Sequence, residues 1–162
     1  MKKLLCVLMC VLMALTMSGC GKSNEDKFVF ENIELSLPKD YGFAEDEVSG
    51  WTHVLYSEST DIGIYIAFYS RESVEQFYGE ITVDELAQIY CDGLEQVTTK
   101  KENDKLYIIT DVETFEEYTV FNYTQLIEKD NGFWTILMDC YGEDKALYEN
   151  AFAKWCKAIT FK

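Results

Sequence analysis

Basic residues, histidine, proline and paired cysteine motifs are all scarce in this 162-residue chain, which sets 14 Lys and Arg against 29 Asp and Glu and has one His and one Pro. The acidic excess excludes nucleic-acid binding through a basic patch, because phosphate backbones would be repelled, and it argues against membrane attachment through surface charge. A single histidine excludes H-E-x-x-H zinc chemistry and leaves a nucleophilic triad only His53 as its base. His53 lies in Trp51-Thr52-His53-Val54-Leu55, where strand alternation puts it on one face with Trp51 and Leu55, the setting of a packed structural histidine. There is no G-x-S-x-G, no papain-type cysteine motif and no C-x-x-C pair, which removes the basis for those hydrolases, for a thioredoxin-like site and for a zinc ribbon. Asp130-Asn131-Gly132 lacks the other ligands of a calcium loop, and spacing singles out no pair among the 29 carboxylates. No catalytic residue, cofactor or metal ligand is assigned, and the expectation is that the protein is not an enzyme. One proline and nine glycines exclude collagen-like and proline-rich repeats, while an apolar share of 48% excludes a disordered chain.

What the chain does have begins at its start. Met1 to Gly19 read as two lysines, an apolar run from Leu4 to Leu15 and then small residues, the layout of a secretory signal peptide. As a helix, Leu4 to Met17 would rise roughly 21 Å, short of the ~30 Å hydrocarbon core, so cleavage is expected rather than a membrane span. Met17-Ser18-Gly19-Cys20 resembles the lipobox of bacterial lipoproteins, with Met17 where leucine is commonest. The resemblance implies cleavage between Gly19 and Cys20, a diacylglyceryl group on the Cys20 thiol, and a protein held by its lipid on the extracytoplasmic face of the cell membrane. Residues 20–27 read as the lipidated end and a polar tether of at most about 20 Å, ahead of one globular domain over 28–162.

Without Lys2 and Lys3 the mature chain carries 12 basic and 29 acidic residues, a net charge of −17. Such a surface keeps an exported protein soluble and leaves cationic partners and divalent cations open. Beyond the anchor three cysteines remain, Cys91, Cys140 and Cys156, so at least one thiol stays free or pairs between chains. Cys140 and Cys156 fall near opposite ends of one predicted helix, which disfavours a bridge between them, whereas Cys91 with Cys156 stays open.

Along the domain, Phe28 to Leu37 is predicted as one strand with Ile33, Leu35 and Leu37 on its buried face, stopped by Pro38. Lys39 to Gly50 reads as a polar loop. Trp51–Tyr56 and Ile62–Tyr69 form a hairpin whose second strand is apolar on both faces. Thr82-Val83-Asp84-Glu85 fits a capping box opening a helix from Val83 to about Val97. Strands follow at Leu106–Thr110, Thr114–Ile127 and Phe133–Tyr141, the last two joined at Lys129-Asp130-Asn131-Gly132. A closing helix over Glu143–Ala158 aligns Tyr148, Phe152, Trp155 and Ile159. The 24 aromatics are mostly core, with Tyr41, Tyr78, Tyr107, Tyr118 and Tyr123 as candidates for a binding face.

About six antiparallel strands, apolar on both faces, with two separated helices imply an α+β chain folded as an α/β/α sandwich; an α+β roll with both helices on one face is the alternative. The element order resembles the PsbP-like fold, through a first strand ending in Leu37-Pro38 followed by Tyr41, the capped helix in mid-chain, and the closing helix with Ile159-Thr160-Phe161. That resemblance implies a non-enzymatic binding or assembly role. The expected function is an envelope module that binds a protein partner, with a solute- or metal-binding lipoprotein as the alternative and an envelope hydrolase as the third reading.

Overall fold

The computed structural model describes residues 25–30, 32–44, 48–57, 59–129 and 131–162. Gly19 and Cys20, and with them the expected cleavage and lipid attachment, lie outside the described residues.

A seven-stranded sheet forms the middle layer, in the order β3 (Tyr41–Phe43), β4 (His53–Ser57), β5 (Ile62–Ser70), β9 (Gly132–Tyr141), β8 (Thr119–Lys129), β7 (Leu106–Thr114) and β6 (Thr98–Asn103). All its pairings are antiparallel. The strands that are largely buried on both faces, β5, β8 and β9, take the centre. A second sheet of three strands joins β1 (Glu25–Phe30), β2 (Ile33–Pro38) and β10 (Thr160–Phe161).

Cross-strand partners share a face, so the register sorts every side chain. One face carries Leu55, Ile64, Met138, Tyr123 and their row-mates. On it lie the small sheet, through the fully buried Ile33, Leu35 and Leu37, and α3 (Lys145–Lys157), through Phe152, Trp155 and Cys156. The other face carries Ile109, Leu126 and Phe133 beneath α1 (Arg71–Tyr78) and α2 (Val83–Cys91), which contribute Val74, Val83 and Ala87. Helices therefore cover both faces, which makes the molecule an α/β/α sandwich and rules out the roll.

Several elements differ from the expectation. The strand predicted over Phe28–Leu37 is two antiparallel strands: Phe30 pairs with Ile33, and pairing runs back to Glu25 opposite Pro38. Strand-like composition on both sides of the polar Glu31-Asn32 hid the reversal. Residues 41–43, expected in a loop, form β3 on the edge of the large sheet. Helices α1 and strand β6 were not anticipated; α1 is mostly polar, and β6 is exposed along its whole length. The capping box is present as expected, Thr82 Oγ1 accepting from the Glu85 N–H while Glu85 accepts from the Thr82 N–H. Yet α2 stops at Cys91 rather than near Val97, because Gly93 takes a left-handed φ of 86° that breaks the helical path. Cys91, Cys140 and Cys156 are free thiols. Cys91 packs on the α2 side of the sheet and Cys156 on the α3 side, so the pairing left open between them is blocked by the sheet itself.

Candidate functional site

Helices α1 and α2 cover only one end of their face. At the other end the register lines up Tyr56, Gly63, Asp139, Asn122 and Asp111 in a single row across five strands. Polar and charged side chains thus stand where the neighbouring row is Leu137, Thr124 and Ile109. Over this row opens a cavity of about 310 Å³. Asp111, Glu113, Asn122 and Asp139 form its polar floor beside Leu137 and Val120, and Trp51, Tyr90, Leu94, Phe115 and Tyr118 wall it.

Each wall residue is held by a local feature. Tyr90, on the last turn of α2, lies within hydrogen-bonding distance of the fully buried Thr124 hydroxyl, at 3.2 Å. Trp51 precedes β4 in a turn closed by its N–H donating to the Val48 carbonyl at 3.1 Å, and its ring lies 5.5 Å from that of Tyr65. Phe115 and Tyr118, in the turn between β7 and β8, stack at 4.9 Å, and Tyr118 meets Tyr141 edge-on at 5.8 Å. These three rings are exposed and all line a second opening of about 500 Å³ with Glu116, Glu117 and Glu143, Phe115 and Tyr118 lining the cavity as well.

The floor is electrostatically loaded. Asp111 is only 2% exposed and accepts one side-chain hydrogen bond, from Asn122 Nδ2 at 2.9 Å. Burial pushes its carboxyl above the ordinary aspartate range, with the Asn122 bond opposing. Asp139 is raised for the same reason, opposed by the Gly63 N–H, which donates to Oδ1 at 2.9 Å, and by Tyr65. The Tyr65 hydroxyl is in turn pushed up to about 12 by burial and by Asp139. Gly63 is needed here for space: a Cβ would fall 2.7 Å from Asp139 Oδ1 and 2.6 Å from the Tyr65 ring. With both carboxyls raised by desolvation, a group that supplies positive charge or hydrogen-bond donors is favoured in the cavity.

The residues singled out from sequence are scattered by the fold. His53 lies on the opposite face, its ring 4.6 Å from that of Phe30, a packed histidine as expected. Trp51 does not share that face; it stands before the strand begins, where alternation has no hold, and its side chain joins the cavity instead. Of the five tyrosines, Tyr118 lines the cavity. Tyr41 packs edge-on against Trp155 and Tyr123 against Phe152, both in the core. Tyr78 is exposed on α1, and Tyr107 lies below Lys101 near α2. Asp111, Asn122, Asp139, Tyr65 and Tyr90 were missed. The available signal was a charged residue inside an apolar strand, Asp139 in Ile136-Leu137-Met138-Asp139-Cys140. Among the described residues no group of three His, Cys, Asp or Glu is placed to hold a metal ion, and no helix is long and apolar enough to cross a membrane.

Comparison with known proteins supplies the fold. No protein-family model matches the chain, and no curated protein matches it by sequence. Among solved structures, cyanobacterial PsbP (CyanoP) from Synechocystis sp. PCC 6803 superposes with a TM-score of 0.62 at 10% identity, covering 90% of this chain and 96% of its own. The fold is PsbP-like. LpqN of Mycobacterium tuberculosis, described as involved in cell envelope biogenesis, superposes with a TM-score of 0.50 at 12% identity, covering 85% of this chain and 90% of its own.

Proposed function

We propose that the protein is a non-enzymatic extracytoplasmic binding module, anchored to the cell membrane through lipid on Cys20, and that it engages its ligand or envelope partner at the uncovered end of the sheet. The observation that carries this reading is the polar row Asp111, Asn122 and Asp139 beneath aromatic walls, where a purely structural sheet face would continue apolar under a longer helix. Export is supported by the signal layout of residues 1–19, and an envelope role by the likeness of fold to LpqN. Binding is favoured over hydrolysis by two features. His53 is on the far face of the sheet, away from the cavity, and Asp111 is 2% exposed with its carboxylate held by Asn122.

Crosslinking in living cells followed by mass spectrometry tests the reading, comparing the native protein with Cys20→Ala and Trp51→Leu forms. A discrete partner or ligand captured by the native protein and lost in both variants is expected. Equal capture from all three would remove anchor and cavity from the function.

A further inference from the structure

We propose that the cavity over the Asp111–Asn122–Asp139 row binds a small organic cation, an alkylammonium group held between aromatic ring faces and carboxylates. The inference rests on the binding reading above and adds the chemical class of the ligand.

The charge of the lining comes first. The cavity and its rim contribute Asp111, Glu113, Asp139, Glu116, Glu117 and Glu143, and no Lys, Arg or His lines either opening. An anion is repelled from such a site. A neutral ligand leaves Asp111, 2% exposed, with the single side-chain donor of Asn122 to offset its desolvation. The walls point the same way. Trp51, Tyr90, Phe115 and Tyr118 present π systems, whose negative faces attract a cation most when water is excluded.

Spacing then separates an organic cation from a bare metal ion. Asp111 is on β7 and Asp139 on β9, with Asn122 of β8 between them in the same row. Two strand spacings put their backbones about 9.6 Å apart. A divalent ion draws its oxygens to within about 2.0–2.6 Å of itself, so a bare ion centred on one carboxylate does not reach the other. A cation with a carbon skeleton spans the row, lays its methylenes or methyls on the rings, and has about 310 Å³ to occupy.

The test uses the mature full chain purified from membranes in detergent, with binding read by tryptophan fluorescence and calorimetry. Choline is titrated against dimethylbutanol, its uncharged carbon isostere. Saturable choline binding is expected, with the isostere at least about tenfold weaker. Asp139→Asn and Trp51→Leu should each weaken choline by a similar factor, while Glu102→Gln, on the opposite face, should not. Thermal unfolding of each variant verifies that it is folded. Equal binding of the isostere, unchanged affinity in both cavity variants, or an equal response to calcium chloride would overturn the proposal, as would no saturable binding at all. Phosphatidylcholine vesicles, offered without detergent to the Cys20→Ala form so that no lipid anchor can insert, form a second arm: binding choline alone assigns a free solute, and binding both assigns a headgroup, the ammonium chemistry standing in either case. Partner capture in cells that depends on Trp51 while no ammonium binds would overturn this inference and leave the binding reading intact.

Discussion

Asp111 shows how a single side chain trades stability for a site. Its folded carboxyl is raised above the unfolded value by burial, so between those two values the folded state holds more proton and stability falls as pH rises; above the folded value the penalty is complete. Asp111→Asn retains an oxygen to accept from Asn122 and removes the buried charge. It should stabilise the protein near neutral pH by roughly 1 kcal/mol and flatten that stretch of the stability–pH curve, with the two proteins converging at the acid end. Urea unfolding from pH 4 to pH 8 measures this; an Asn variant less stable at neutral pH would mean that Asp111 has a partner beyond Asn122. Gln125 presents a related case on the other face, its Oε1 buried with no hydrogen-bond partner. Gln125→Met preserves length and removes the orphan acceptor, so the midpoint in urea should hold or rise, by up to about 1 kcal/mol. A clear loss of stability would show that the amide is satisfied in solution.

Among the elements, α2 decides where the site can be, since its start is fixed by a cap and its early stop leaves the polar row open. Thr82→Ala removes the side-chain acceptor for the Glu85 N–H and should cost about 1 kcal/mol, most of it restored by Thr82→Ser, as read from thermal or urea unfolding. That start was legible in sequence because a capping box is a local hydrogen-bond pattern. Its end was not, because Leu94 and Val97 continue a helical spacing that Gly93 interrupts with its left-handed φ of 86°. The same distinction runs through the sheet. Alternation in β2 and the two-faced apolar runs of β5 and β9 revealed buried strands and hence the layered fold. Asp111 was hidden because its strand, predicted to close at Thr110, continues to Thr114 once β8 pairs with it. Which strands become neighbours is settled by long-range packing, so a row assembled from β5, β9, β8 and β7 has no signature in any one segment.

At the scale of the whole molecule, the sheet is a partition. It keeps Cys91 from Cys140 and Cys156, and burial raises all three thiols, Cys140 to about 12. Of these three, half-buried Cys91 should react first with a thiol reagent, the others only as the protein unfolds, and an oxidant should leave the melting temperature unchanged. The partition also orients the site. Pairing begins at Glu25, whose carboxylate lies 3.9 Å from Lys154 on α3, so the chain enters on the face opposite the cavity. From Cys20 to Glu25 the chain reaches at most about 18 Å, which keeps an anchored domain close to its membrane with α3 and the small sheet on the anchored side. In the anchored form proposed above, the cavity then opens away from the lipid, so a free solute rather than a headgroup is its expected occupant. Choline affinity should therefore agree within about twofold between the protein in detergent and the protein anchored in vesicles of uncharged, choline-free lipid. A large loss on anchoring, read by tryptophan fluorescence, would mean that the aromatic rim of Phe115, Tyr118 and Tyr141 rests on the membrane and that the bilayer occupies the face assigned to the ligand.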